Sequence, residues 1–465
     1  MDLFNSRIIL PTSEIPKEWI NILPDLPTPI TPLVNPADGK PAPPELAMRI
    51  FAKECVLQEV SQENSIPIPN DLRAMYASIG RPTPLHRAYR LEKELGIEGD
   101  NIKIFYKNES VSPTGSHKLN TALAQAYFCK KQGITEMVTE TGAGQWGSAL
   151  ALACNLFGIK CTVYMVRISF LQKPGRKILM SIFNAKVHAS PSEFTESGRR
   201  YWEKDNNHNG SLGLAISEAI EHCLRDESIR YSLGSVVNHV LLHQTVIGQE
   251  AKSQLSKIGE YPDIVIGCAG GGSNFAGTAI PFIREKIRGI HPETEMIAVE
   301  PRACPSMCKG KYMWDYGDTA KMAPIVKMYT LGHNFIPSPI HAGGLRYHGM
   351  APILSILLKN NVIKTVMHHQ TDVIKAGILF AKTENILPAP ETCHAIKEAI
   401  DQALKAKENK EKKTILFNFS GHGFFDLLAY KEYMDGALKD YEMPTEEIEK
   451  ALSAEDMPNI DEALF

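Results

Sequence analysis

The chain has 465 residues, and its 50 lysine and arginine residues nearly balance its 53 aspartate and glutamate residues, for a net charge of −3. This balance argues against a nucleic-acid-binding protein, which normally carries a basic excess or stripe. No apolar run reaches the roughly 18 residues of a membrane-spanning helix, and the N-terminus lacks the basic start and apolar stretch of a secretion signal. Nine cysteines without paired Cys-x-x-Cys motifs favour a reduced, cytoplasmic protein without a zinc site.

Residues 1–60 are predicted to form a proline-rich arm and a first helix over 48–60, because proline removes a backbone donor and disfavours helix in the residue before it. Farther along, short apolar strands alternate with amphipathic helices, which is typical of crossover units in parallel sheets. Predicted strands cover 103–108, 136–140, 161–166, 263–267, 296–300 and 414–420, and predicted helices cover 118–132, 146–158, 172–184, 273–287 and 394–408.

The predicted strands are nearly continuously apolar, which indicates that helices cover both faces of each sheet. We therefore predict an α/β fold with two parallel-sheet, three-layer domains. The N-terminal domain is expected to cover residues 61–235 and the C-terminal domain residues 236–440. Residues 441–465 are expected to form a tail with an amphipathic surface helix.

The first strand-to-helix junction, SPTGSHKLN, places Lys118 where a turn becomes a helix. A lysine is electrostatically disfavoured there, because the N–H groups of a helix N-terminus carry partial positive charge. One interpretation is an ordinary surface lysine. The other is an amine held near a bound anion, with a lowered pKa and the ability to form a Schiff base.

The second junction, ETGAGQWG, matches G-x-G-x-x-G through Gly142, Gly144 and Gly147. Alone, this motif suggests dinucleotide binding, but the acid expected about 20 residues later is missing. Arg167 ends the next strand and would suit NADP, so an NADP-binding oxidoreductase is the alternative from another class. The pattern itself indicates an anion site that would accept a carboxylate as well as a pyrophosphate. Glu140, directly before the loop, opposes anion binding unless it transfers protons.

The third junction and the last strand complete a set of four features. The run Gly270, Gly271, Gly272, Ser273 and Asn274 reads as a cradle for one phosphate monoester, with a tight turn without ligand as the alternative. Ser420 ends the last strand, where side chains face the crevice that binds ligands. Its hydroxyl could form a hydrogen bond with a ring nitrogen, but unlike a carboxylate it would leave that nitrogen largely unprotonated. A phosphate cradle, a reactive lysine, a carboxylate loop and this hydroxyl together indicate pyridoxal phosphate acting on an amino acid.

Six segments in order resemble the β chain of tryptophan synthase, a fold type II pyridoxal-phosphate enzyme. They are GRPTPL (80–85), GSHKLN (115–120), ETGAGQWG (140–147), GGGSN (270–274), ENILPAPETCHA (384–395) and FSGHG (419–423). The long N-terminal arm, and Gln-Trp where the commoner β chains have Gln-His, resemble the second of the two β-chain types. The resemblance implies that pyridoxal 5'-phosphate lies between the two domains, with a monovalent cation as a further candidate ligand.

The resemblance also implies a role for each matching residue. Lys118 would form the Schiff base, His117 would contact the cofactor phosphate, and Glu140 would be the general acid/base that deprotonates the nucleophile. The cradle Gly270–Asn274 would hold the phosphate, Ser420 would face the pyridine nitrogen, Glu391 would lie near the ring, and Thr141, Gly142, Ala143, Gly144 and Gln145 would bind the substrate carboxylate. The implied reaction is β-replacement of L-serine with indole to give L-tryptophan.

One segment, HAGGLRYHG (341–349), departs from the family's pattern. Arg346 stands where the usual β chain has an acid that receives the serine hydroxyl and pairs with a lysine on closure, and Gly213 stands at the lysine's position. An arginine there would bind a phosphate dianion with two hydrogen bonds. We hypothesise that O-phospho-L-serine is the donor in preference to L-serine; a structural arginine that bridges loops is the alternative.

A second segment, MVRISFLQKPGRK (165–177), differs from the family's usual binding surface for the α chain. With the N-terminal arm, it predicts a stand-alone homodimer rather than a complex with an α chain. Within the fold type, a serine/threonine dehydratase or a cysteine synthase is the rival; an acid before the carboxylate loop favours the tryptophan branch because it suits indole activation. Lys118 and Glu140 also argue against a catalytically silent subunit.

Overall fold

The computed structural model describes residues 6–97, 99 and 101–462. The strands are β1 (Arg7–Ile8), β2 (Glu18–Ile20), β3 (Ser65–Pro67), β4 (Leu85–Arg87), β5 (Ile102–Asn108), β6 (Glu136–Thr141), β7 (Lys160–Val166), β8 (Lys186–Ser190), β9 (Ile229–Tyr231), β10 (Ile264–Cys268), β11 (Glu295–Pro301), β12 (Lys311–Tyr316), β13 (Ile325–Thr330), β14 (Lys364–His368) and β15 (Lys413–Phe419).

The helices are α1 (Pro44–Ile50), α2 (Lys53–Glu59), α3 (Asn70–Ser78), α4 (Tyr89–Glu94), α5 (Leu119–Lys131), α6 (Gln145–Phe157), α7 (Arg167–Gln172), α8 (Pro174–Ile182), α9 (Glu196–Trp202), α10 (Leu212–Cys223), α11 (Asn238–Gln244), α12 (Val246–Lys257), α13 (Ser273–Ile287), α14 (Ser306–Lys309), α15 (Pro352–Lys359), α16 (Gln370–Glu384), α17 (Pro390–Glu408), α18 (Leu427–Met434) and α19 (Thr445–Leu452). Among the described residues, no helix is both long and apolar enough to cross a lipid bilayer.

The larger sheet has the strand order β1-β4-β5-β15-β10-β11-β14. Its last five strands are parallel, and β1 and β4 add an antiparallel edge. Alternate side chains of one strand enter different cores: Leu416 packs with α12, α13 and α15, whereas Phe417 packs with α16 and α17 on the opposite face. The period-two alternation of a strand therefore produces the predicted three layers.

The smaller sheet has the order β8-β7-β6-β9, and all of its strands are parallel. Val163 faces the core formed with α5 and α6, whereas Tyr164 faces the core formed with α10. The predicted α/β class with two parallel, three-layer sheets is thus confirmed. The lysine loop, the carboxylate loop and the glycine loop each follow the carboxyl end of a strand, where ligands of such sheets bind.

The structure differs from the predicted elements at two helices. The helix expected over 172–184 begins only at Pro174, because proline disfavours helix in the residue before it, and Lys173 accordingly leaves the helical region (φ −128°, ψ 62°). The helix expected over 48–60 is two helices, α1 and α2, separated by an extended Phe51. Strand β5 also precedes the smaller sheet in sequence but pairs with β15 of the larger one.

A buried network of charges ties the start of the chain to the larger sheet. The Arg81 guanidinium lies 2.9 Å from Glu109 and 2.9 Å from Glu250, and the Lys107 ammonium lies 2.8 Å from Glu250. Burial alone would raise the pKa of Glu109, but the charge of Arg81 outweighs it and lowers the pKa to about 2. The ionised carboxylate therefore stabilises the fold.

We expect acid to weaken the fold through Glu109. Because its pKa falls from 4.5 in an ordinary setting to about 2 in the folded chain, its contribution is complete above pH 4.5 and is lost as the pH falls toward 2. The loss is roughly 3 kcal/mol in the free energy of unfolding. Urea unfolding between pH 3 and 6 measures it: Glu109→Gln should flatten the dependence, the exposed Glu408→Gln should not, and equal slopes in both would contradict the assignment.

Candidate active site

The carboxyl ends of both sheets open into one cleft. Its main cavity, of about 550 Å³, is lined by Lys118, Glu140, Thr141, Gly142, Ala143 and Gln145 among others. A neighbouring cavity of about 330 Å³ is lined by His117, Lys118, the run Gly270–Asn274, Glu391 and Ser420. Arg346 lines a third cavity of about 250 Å³ that shares Gly142 and Gly343 with the first. The fold thus brings together residues that lie up to 300 positions apart.

Gly144 is the predicted site residue that lines none of these three cavities. It precedes α6 with a left-handed φ of +89°, and a Cβ placed on it would lie 2.8 Å from Cβ of Arg176. Its role in the structure is therefore to turn the chain and to let α8 pack closely behind the loop.

Lys118 lies directly before α5, and its ammonium donates a hydrogen bond of 3.0 Å to the Gly234 carbonyl. Burial lowers the pKa of Lys118 to about 8, although the neighbouring carboxylate of Glu140 opposes the shift. At pH 7 roughly a tenth of this amine is uncharged, far more than for a lysine in water. An uncharged amine is the form that attacks a carbonyl group.

The lysine loop is held against both the glycine loop and the last strand. Nε2 of His117 lies 3.2 Å from Oγ of Ser273, and the backbone N–H of His117 donates a hydrogen bond of 3.0 Å to the Ser420 carbonyl. Burial lowers the pKa of His117 to about 3, so this ring is neutral at physiological pH. It can therefore donate or accept a hydrogen bond without adding a charge.

The glycine loop leads into α13, whose N-terminus has no side-chain cap. Its glycines are required by close packing: a Cβ on Gly270 would lie 2.3 Å from the Gly344 carbonyl oxygen, and one on Gly271 would lie 2.6 Å from Val236. Ser235 approaches from the other side, and its hydroxyl accepts a hydrogen bond of 3.1 Å from the Ser273 N–H. An uncapped helix N-terminus beside such a loop attracts an anion.

Ser420 and Glu391 form the opposite wall of the smaller cavity. The Ser420 hydroxyl lies 2.8 Å from the Thr392 hydroxyl. Glu391 accepts hydrogen bonds from Gln145 (3.1 Å) and from the Gly344 N–H (2.8 Å), so it joins the carboxylate loop to the 343–345 turn. The cavity therefore offers an anion site, a partly neutral amine and a hydroxyl, which fits pyridoxal phosphate.

Glu140 ends β6 and is buried at the edge of the main cavity. Burial raises the pKa of Glu140 to about 7, and the Tyr231 hydroxyl, which donates to its carboxylate at 2.5 Å, limits the increase. A carboxyl with this pKa can both take and return a proton near neutral pH. No local pattern indicates Tyr231, because it lies 91 residues from Glu140 on another strand.

Arg346 is only 7% exposed, and none of the described carboxylates lies within ion-pair distance of it. Its guanidinium donates a hydrogen bond of 2.8 Å to Ser169, and burial lowers the pKa of Arg346 to about 10. Ser211 and Leu212, at the N-terminus of α10, line the same cavity. At the other departure from the family pattern, a Cβ on Gly213 would lie 2.5 Å from the Thr319 hydroxyl, so a lysine would not fit without rearrangement.

Comparison with known proteins identifies the family of the chain. A family described as "Pyridoxal-phosphate dependent enzyme" matches residues 77–421. The tryptophan synthase beta chain of Thermococcus gammatolerans is 57% identical over 94% of this chain and 98% of its own length. The chain belongs to the tryptophan synthase β-chain family. Two further relatives are named "Tryptophan synthase beta chain 2". The one from Pyrococcus furiosus is 56% identical over 94% of this chain and 97% of its own length, and the one from Aquifex aeolicus is 55% identical over 93% of this chain and 100% of its own length.

More distant solved structures share the fold alone. Threonine deaminase isoform 2 from Solanum lycopersicum matches with a TM-score of 0.57 and 17% identity, over 92% of this chain and 93% of that one. Maize serine racemase matches with a TM-score of 0.53 and 18% identity, over 79% of this chain and 98% of that one. Family membership confirms a pyridoxal-phosphate-dependent lyase and sets aside both the NADP-binding oxidoreductase and the dehydratase or cysteine synthase alternatives.

We expect the glycine loop to tolerate no side chain at its first position. Gly270→Ala should lower the free energy of unfolding by roughly 3 kcal/mol, because its Cβ would overlap the Gly344 backbone. Gly289→Ala is the matched control: its φ is +74° but its Cβ would meet open space, so only about 1 kcal/mol of backbone strain is expected. Equal losses in urea unfolding would contradict the packing argument.

Proposed function

We propose that this chain condenses indole with the side-chain carbon of a serine-type amino acid to give L-tryptophan. The observation that carries the proposal is the pairing of Lys118 and Glu140 in one buried cavity, both with a pKa brought close to neutrality. The relatives named tryptophan synthase beta chain, at 55–57% identity over nearly the whole chain, support the same reaction.

In this proposal, bound pyridoxal phosphate withdraws electrons from the α-carbon of the amino acid. The Gly270–Asn274 loop and His117 hold its phosphate, the Lys118 amine holds it covalently, and Ser420 faces its ring nitrogen. A serine hydroxyl leaves that nitrogen largely unprotonated, which favours loss and replacement at the β-carbon over transamination. Glu391 orders the wall beside the ring through its bonds to Gln145 and Gly344.

Two residues move protons in this scheme. The Lys118 amine takes the proton from the donor's α-carbon and later returns it. Glu140 takes the proton from the indole nitrogen as that nitrogen becomes positively charged. The loop Thr141–Gln145 binds the donor carboxylate at the N-terminus of α6. Gly142 packs so closely against Gly343 that a Cβ on Gly142 would lie 2.7 Å from the Gly343 carbonyl oxygen, so this position of the loop requires glycine.

The proposed function is tested by supplying purified protein and pyridoxal phosphate with indole and either donor, and following tryptophan by absorbance. Because Glu140 acts as a base, kcat/KM should fall about tenfold per pH unit below about pH 7. Tyr231→Phe removes the donor that stabilises the carboxylate, so this acid limb should move to higher pH.

Tyr164→Phe is the control, since Tyr164 is equally buried but its hydroxyl pairs with His222. The role of Glu140 would be contradicted if the fall in kcat/KM at low pH occurred at the same pH in Tyr231→Phe as in the wild type. It would also be contradicted if that fall were still present in Glu140→Gln. Lys118→Ala should abolish turnover, and formation of tryptophan by this variant would refute the role of Lys118.

We also propose O-phospho-L-serine as the preferred donor. The support is a buried guanidinium without a carboxylate partner, in a cavity that also holds the N-terminus of α10. Both features attract a phosphate dianion. The guanidinium and the helix N-terminus would stabilise the phosphate as it leaves the β-carbon.

We expect Arg346→Gln to lower kcat/KM for O-phospho-L-serine at least tenfold more than for L-serine, because the loss of a charge-assisted hydrogen-bond pair affects only the phosphate. Arg302→Gln, which removes an outlying guanidinium paired with Glu442, should change neither value. The proposal fails if the wild type prefers L-serine by a wide margin or if Arg346→Gln lowers both donors equally.

We further propose a cytoplasmic homodimer that works without an α chain. All nine cysteines are free thiols, eight of them buried, which suits a reducing compartment. Exposed apolar side chains crowd α7, α8 and the region after β15: Leu171, Ile178, Ile182, Phe424 and Leu427. Such surface groups favour contact with another copy of the chain.

Light scattering during gel filtration should therefore give twice the 51.6 kDa mass of one chain. Adding a tryptophan synthase α chain should leave the elution unchanged. A monomer, or stable co-elution with the α chain, would contradict the proposal.

A further inference from the structure

The short break between α7 and α8 carries a lysine that is buried between the two sheets. The Lys173 ammonium lies 2.5 Å from Oδ1 of Asp426, and it donates a hydrogen bond of 3.1 Å to the His341 carbonyl. The exposed fraction is 4% for the Lys173 side chain and 1% for that of Asp426. Asp426 lies between β15 and α18, so the pair crosses from the smaller sheet's region to the larger sheet's.

This pair is isolated. Among the ion pairs of the described residues, it is the one that joins the region 136–231 to the region 235–440. Neither oxygen of Asp426 receives a hydrogen bond of good geometry, so the buried carboxylate depends on nearby positive charge, from Lys173 at ion-pair distance and from the Arg176 guanidinium farther away. A buried charge that loses its partner is strongly unfavourable, which makes the pair an effective link between the two regions.

Helix α8 transmits this link to the carboxylate loop. Arg176, three residues after Lys173, packs its Cβ and Cγ so closely behind Gly144 that a Cβ there would lie 2.8 and 2.9 Å from them. Its guanidinium stacks on the ring of Phe425 at 4.5 Å, directly beside Asp426. Phe425, which contacts α8, and Asp426, which contacts Lys173 just before α8, thus lie five and six positions after Ser420.

The segment also reaches the third cavity. Ser169, on α7, is the residue that accepts the hydrogen bond of Arg346. The eight residues from Ser169 to Arg176 therefore contact the carboxylate loop, the segment after the last strand and the guanidinium proposed for the donor. The glycine loop lies outside this stretch, between β10 and α13.

We propose that Lys173 and Asp426 are positioning residues: their ion pair braces α8, and through it the carboxylate loop, at a fixed distance from Ser420. This inference rests on the proposed function and extends it to residues outside the cleft. Without the pair, the loop would still fold, but it would not be held where the donor carboxylate binds. The expected result is at least a tenfold increase in KM for the amino-acid donor, a smaller decrease in kcat, and no change in affinity for pyridoxal phosphate.

The test compares Lys173→Met, the double variant Lys173→Met/Asp426→Asn, and the conservative Lys173→Arg. The double variant removes both charges of the pair, so it stays informative if Lys173→Met does not fold. Lys252→Met is the control, because Lys252 pairs with Glu285 within the α12–α13 layer, far from the cleft. We expect the KM increase in both neutral variants, its reversal in Lys173→Arg, and wild-type kinetics in Lys252→Met.

Hydrogen exchange of the cofactor-free protein gives a second readout that needs no activity. Backbone amides of residues 167–182 should exchange at least tenfold faster in the double variant, whereas those of α13 should not change. The proposal is overturned if the double variant keeps wild-type exchange in α8 or a wild-type KM. If the wild type made no tryptophan, the proposed function would fail, while the exchange result would still decide whether the brace exists.

Discussion

The site depends on the burial of two ionisable groups in one cleft. Water stabilises both a protonated lysine and an ionised carboxylate, and its removal shifts the two pKa values toward each other, to about 8 for Lys118 and about 7 for Glu140. Each group then exchanges protons readily at physiological pH.

The larger sheet supplies the fixed side of this arrangement. The glycine loop, Glu391 and Ser420 all belong to it, and the network around Arg81 and Glu250 ties the chain's early strands to it. The smaller sheet supplies the carboxylate loop and Glu140. Since the contacts between the two sides include a backbone approach of Gly142 to Gly343 that leaves no room for a Cβ, their relative position must be controlled closely. A single buried ion pair between charged side chains is suited to that task, because it is strong when formed and lost completely when the sides separate.

The two departures from the family's pattern are consistent with each other in the folded chain. Gly213 lies against Thr319, which leaves no space for a lysine, and Arg346 turns to Ser169 instead of toward an acid. The result is a buried guanidinium, without a carboxylate partner among the described residues, in a small cavity beside the main one.

Local patterns in the sequence predicted six of the fifteen strands in the described residues, namely β5, β6, β7, β10, β11 and β15, and the helices after the three junctions, because apolar strands buried on both faces and glycine-rich turns before helices can be recognised locally. They also placed Lys118, Glu140 and Ser420 at or after the carboxyl ends of strands, where ligands of parallel sheets bind. The tertiary structure was needed to place Tyr231 beside Glu140, Ser235 in the lining of the smaller cavity, Thr392 beside Ser420, Gly144 against α8, and Lys173 beside Asp426, 253 positions away. These contacts join side chains from elements that no local pattern relates, and their pairing follows only from how the two sheets pack.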